Sequence, residues 1–116
     1  MRNMRLNYNI QDKHAEKFIS FLILGVLHSL DKELISIEEA EGFIFMPSTC
    51  APLKEIKASD ALINIIETGC QLEDVESLRP DKLSECVSEM IEDTLSVIKN
   101  NKEIGRLVKK RIKVIG

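Results

Sequence analysis

An all-α fold, a compact orthogonal or bundle-like array of four to five helices around a buried first helix, is what this sequence predicts. Three observations carry that prediction. Apolar residues recur at i, i+3 and i+4 through most of the chain, and Ser36 and Ser59 stand where helix N-caps belong. Four Phe, one Tyr and no Trp leave the core to Leu, Ile and Val, which suits helix packing.

The 116 residues fit one domain, divided into an extended arm over 1–11, a helical core over 12–100 and a basic tail over 101–116. In the arm, "RLNYNI" alternates Leu6, Tyr8 and Ile10 with polar residues, the pattern of a short strand or extended segment. The first helix is expected from Asp12 to Leu30. Its apolar positions cover nearly the whole circumference, so neighbours are expected on several sides, with one crossing closely at Gly25.

Ser36 and Glu39 form a capping box for a second helix, "IEEAEGFIFM", which Pro47 ends. "PSTCAP" reads as a loop between two prolines, followed by a turn or two of helix in "LKEIKA". Ser59 then opens "DALINIIETG", with Gly69 as its C-terminal cap, and "LEDVESL" is a short helical turn. Pro80 and Asp81 suit the first turn of the last helix. There Leu83, Val87, Met90, Ile91, Leu95 and Ile98 keep helical spacing. The tail "IGRLVKKRIKVIG" is a further helix or a strand ending in Ile112, Val114 and Ile115.

The patterns "SIEEAEGFIFMP" and "ETGCQLEDVESLRPDKL" resemble a family of small bacterial proteins of unknown function, over about residues 12–100. That family brings no catalytic residues with it. The short, acidic, helical character is also similar in class to the immunity proteins that neutralise toxins passed between competing bacteria.

The most apolar run, "FISFLILGVL", is ten residues long, about half of what a membrane span needs. With no export signal, a cytoplasmic protein is expected. Cys50, Cys70 and Cys86 form no close pair and read as reduced thiols. No metal-ligand spacing, phosphate loop or nucleophile elbow is present, so neither a cofactor nor a metal is expected, and no enzyme. His14 and His28 on one helix would stand about 21 Å apart and share no ion. Cys50, in its proline-bounded loop, is the best-placed nucleophile, yet no cation nearer than Lys54 lies beside it to activate it.

Charge is the informative feature. Residues 1–98 hold nine basic residues against eighteen acidic ones, and residues 99–116 hold seven against Glu103 alone. The acidic side chains Glu73, Asp74, Glu76, Glu85, Glu89, Glu92 and Asp93 are expected to form a solvated face. Such a face would steer association with a basic protein partner, a toxin domain for instance. Like-charge pairs at i, i+4 within it cost about 0.2–0.5 kcal/mol each, little beside a stability of roughly 5–15 kcal/mol. The alternative assigns function to the tail, where Arg106, Lys109, Lys110, Arg111 and Lys113 would neutralise phosphates in a small nucleic-acid-associated regulator. The acidic body opposes that approach, so the tail is expected to fold back over its own acidic helix. A structural homo-oligomer is a third reading, consistent with the apolar first helix.

Overall fold

In the computed structural model, residues 3–105 and 112–116 are described. Strand β1 (Arg5–Tyr8) leads into α1 (Asp12–Asp31), α2 (Ile37–Phe43), α3 (Pro47–Glu55), α4 (Asp60–Gly69) and α5 (Leu72–Leu78). A 3₁₀ turn (Pro80–Lys82) opens α6 (Leu83–Asn100), and β2 (Ile112–Ile115) returns to pair antiparallel with β1. The all-α expectation holds, with the two chain ends joined in a two-stranded ribbon. Among the described residues, no helix is long and apolar enough to cross a membrane.

The caps explain the starts. Ser36 Oγ accepts from the Glu39 amide at 3.0 Å, and Ser59 Oγ accepts from the Leu62 amide at 3.2 Å. The α1 and α3 ends are closed by Glu33 and Lys57, each at positive φ, 58° and 61°. In both, the next amide reaches back five residues, Leu34 to Ser29 and Ala58 to Leu53, which satisfies carbonyls the helix leaves free.

The segment "PSTCAP" is helix, not loop. Pro47 is its first residue, where the missing amide costs nothing. Pro52 lies inside it on the exposed side, while Cys50 and Leu53 turn inward. The preceding helix stops at Phe43, earlier than expected, so that Ile44 and Phe45 enter the core from the connection.

The core is built around α1, α4 and α6, with Ile23, Leu27, Leu62, Ile66, Leu72 and Met90 almost fully buried. The α1–α6 contact is the most extensive in the fold. Buried Ser20 and Thr94 keep their hydroxyls on their own helices, bonding the carbonyls of Glu16 (2.8 Å) and Met90 (2.7 Å). On α6 the buried face runs through Val87, Met90, Thr94 and Val97, and Leu95 is exposed. The expected stripe is thus rotated toward a small polar residue, because Thr94 can satisfy itself within the helix and Leu95 need not pack.

Two expectations about α1 fail. Its outer face is open, with Phe21 exposed, and nothing lies within 4 Å of where a Gly25 side chain would begin. The close approach to glycine occurs instead at Gly69, the last residue of α4, where a Cβ would overlap the Phe45 ring. Gly69 therefore serves packing, and Cys70 takes the C-cap position.

Candidate functional site

The carboxylates divide between two places. On α5, Glu73 and Glu76 face an open cleft of about 610 Å³, closed on its other sides by α2, the α1–α2 connection and the start of α6. Asp31, Glu33 and Glu38 line the same cleft, and among the described residues no lysine or arginine does. Its apolar wall is Leu30, Ile35, Ile37, Leu83 and Val87. A cleft with an apolar wall and a one-sign rim holds field lines that attract cations and repel anions.

On α2, Glu41 lies beside the carboxylates of this rim without lining the cleft. Its carboxyl is pushed above the ordinary value by partial burial and by the neighbouring Glu73, Asp74 and Glu38. Asp74 and Glu41 therefore belong to the same acidic group, although neither lines the cleft itself. Of the residues expected from sequence, Glu73, Asp74 and Glu76 are brought together here. Asp31, Glu33, Glu38 and Glu41 were missed. Their signal was visible as four carboxylates against Lys32 alone between residues 31 and 41, apart from Glu39, whose side turns to another groove.

Glu85, Glu89, Glu92 and Asp93 are exposed on α6 but do not enter the cleft. Lys82 Nζ stands 3.5 Å from Glu85, and Arg79 pairs with Asp81 at 3.4 Å. Both pairs are well solvated and contribute little. Asp93 borders a separate groove between α4 and α6, with Asn64 and Thr68. The single acidic face expected from sequence is thus a cleft rim and a helix flank.

Arg106, Lys109, Lys110 and Arg111 lie outside the described residues. Lys113 sits in β2 opposite Asn7 of β1, so this end of the tail pairs with the arm rather than crossing α6.

The three cysteines are free, with no disulfide among them. Cys50 is buried on α3, in a helix rather than the loop that made it a candidate nucleophile. Burial pushes the Cys70 thiol up, with Cys50, Glu41 and Glu67 adding to it; burial, then Glu89 and Glu85, do the same at Cys86. Among the described residues no group of three or more His, Cys, Asp or Glu is placed to hold a metal.

Residues 11–113 match a family described as a protein of unknown function (DUF3969). No curated protein and no solved structure matches the chain.

Proposed function

The chain belongs to the DUF3969 family; from that premise, which carries no activity with it, we propose a non-catalytic module that binds a basic protein partner. The observation that carries this reading is the cleft between α2, α5 and α6, lined among the described residues by five carboxylates, no cation and an apolar wall. A lysine- or arginine-bearing segment with apolar residues between its charges fits that chemistry. The wall takes the apolar side chains and the stems of the basic ones, and the rim takes the charged heads. Glu85, Glu89, Glu92 and Asp93 widen the negative field beyond the cleft and favour fast, salt-sensitive encounter. An immunity or antitoxin protein, occluding the phosphate-binding surface of a basic toxin in the cytoplasm, is the most concrete form of the proposal.

The test is co-purification from the native cell, with wild-type chain and with Glu73→Lys/Glu76→Lys as bait. A basic protein retained by the first and lost by the second supports the reading. Capture of the same proteins by both baits removes the cleft from it. A gene for a large secreted toxin immediately upstream would support the immunity form.

A second reading rests on the ribbon, where Arg5 and Lys113 share one face with Asn7. Together with the basic tail this would serve a nucleic-acid-associated regulator. A gel-shift titration with duplex DNA and RNA at low salt decides it, and the absence of any retention eliminates it.

A further inference from the structure

Where α1 begins and α6 ends, an otherwise acidic molecule turns basic. An open pocket of about 470 Å³ lies there, with Lys13, His14 and Lys17 from the first turns of α1 on one wall. Asn100, Lys102 and Glu103 form the other, at the end of α6 and just beyond it. The walls are tied together. Lys17 Nζ donates to the Lys102 carbonyl at 3.2 Å, and Asn101 Nδ2 donates to Glu16 Oε2 at 2.7 Å. The pocket is thus shaped by contacts of the fold itself, which spares a ligand the cost of ordering these segments.

Its cations are not neutralised by the chain. Among the described residues the ion pairs are Arg79 with Asp81 and Lys82 with Glu85, so no carboxylate stands within 4.0 Å of the Lys13, Lys17 or Lys102 ammonium groups. The acids next to them in sequence are engaged elsewhere. Asp12 Oδ1 accepts from the Lys13 amide at 2.8 Å, and Glu16 is held by Asn101 and by the Ser59 amide. His14 adds an imidazole, which donates one hydrogen bond when neutral and two when protonated.

We propose that this pocket binds the phosphate group of a small phosphorylated ligand, with Lys13, Lys17 and Lys102 around its oxygens. Charge selects the ligand class. Three ammonium groups against the Glu103 carboxylate leave two positive charges over, among the described residues lining the pocket. A phosphate monoester, at about −1.5 to −2 near pH 7, matches that surplus, whereas chloride or a single carboxylate does not. Size and surroundings select a small ligand over a nucleic-acid strand. The volume falls within the roughly 300–1,000 Å³ of small-molecule sites. The preceding turns of α6 carry Glu85, Glu89, Glu92 and Asp93, all exposed, which repel the further phosphates of a polyanion but not a single one at the end of the helix. The acidic cleft meets α6 at its other end, about 25 Å along the axis, so this site does not depend on the partner proposed there.

Titration of the full chain with inorganic phosphate and with phenyl phosphate tests this, at an ionic strength held constant with chloride and followed by amide NMR shifts. Saturable shifts are expected in residues 13–17 and 100–103, with phenyl phosphate bound at least as tightly as inorganic phosphate. Lys13→Gln/Lys102→Gln should weaken binding at least tenfold without lowering the melting temperature of the ligand-free chain, since both side chains are exposed. Lys32→Gln/Lys54→Gln removes the same charge outside the pocket and should change the affinity less than twofold. Glu103→Gln should tighten binding at least twofold, a gain that damage to the fold does not imitate. Shifts that fail to saturate at tens of millimolar phosphate overturn the proposal, as does equal weakening by the two lysine pairs. A ten-nucleotide oligothymidylate bound more tightly than phenyl phosphate, and lost in Lys13→Gln/Lys102→Gln, would overturn it as well by giving these lysines to nucleic acid.

Discussion

The Phe45 ring lies against the backbone of Gly69, in the space that any other residue's Cβ would take. Phe45 is 1% exposed and comes from the short connection after α2, so this contact ties that connection to the end of α4.

Gly69→Ala should therefore lower the unfolding free energy by about 1–3 kcal/mol, the usual cost of forcing atoms into a packed core. The ring is almost fully buried and cannot swing out into solvent as a flexible chain end would. Gly25→Ala makes the opposite case, since open space lies above Gly25. It should gain up to about 1 kcal/mol from helix propensity. Urea titrations of the two variants, at concentrations below any self-association, should show midpoints moving in opposite directions. Equal shifts would contradict the packing described for Phe45.

These two glycines also show how far the sequence was legible. Helix starts could be read where a side chain supplies a missing hydrogen bond, as Ser36 and Ser59 do, and the amphipathic period located α4 and α6. The helical state of residues 47–55 could not be read, because two prolines bracket 47–52 as they would a loop, and the inward turn of Cys50 and Leu53 is decided by packing. The two glycines look alike in sequence, and only the placement of Phe45 tells them apart. The acidic cleft was half legible. Its α5 rim stood out as a charge run, whereas the α2 side was read as helix capping, and only the packing of α2 against α5 joins the two.

Glu16 joins three elements, and its titration should be visible in acid. Its Oε1 accepts from the Ser59 amide at 2.5 Å and its Oε2 from Asn101 Nδ2 at 2.7 Å, linking α1 to the start of α4 and the end of α6. Burial alone would raise its pKa, but the hydrogen bonds from Asn101 and Ser59 outweigh burial and hold it below 4.5. A depressed carboxylate stabilises the fold above its unfolded pKa, and that contribution disappears as pH falls through the folded value. Glu16→Gln should thus cost about 1–2 kcal/mol at neutral pH, a figure reduced for partial exposure, and progressively less below pH 4.5. Thermal melts of both proteins between neutral and acid pH measure the convergence.

Glu41 should behave with the opposite sign. Burial and the adjacent Glu73, Asp74 and Glu38 raise its pKa above 4.5, so the folded state takes up its proton before the unfolded chain does. Its ionisation weakens the fold as pH rises through that range, and Glu41→Gln should increase the melting temperature at neutral pH. The gain should shrink in acid, where wild-type Glu41 is itself neutral. Added salt should raise the wild-type melting temperature more than that of the variant, because screening acts on the repulsion the variant has already lost.

The same repulsion separates the needs of the fold from those of binding. Glu73 and Glu76 are exposed, border the cleft with Asp31, Glu33 and Glu38, and have no cation among the described residues lining it. If they served stability, reversing their charge would remove favourable contacts; the geometry says the contacts are unfavourable. Glu73→Lys/Glu76→Lys should therefore melt no lower than wild type and is expected to melt slightly higher, by up to about 1 kcal/mol of relieved like-charge contact. For a basic partner seated in the cleft the same change is costly. It should slow association by tenfold or more at low salt and flatten the dependence of the on-rate on ionic strength. Stopped-flow association with a partner recovered by co-purification, run beside the thermal melt, reads both quantities on one variant. A variant that loses stability and binding together would mean that these carboxylates hold the fold, and the functional reading of the cleft would fail with them.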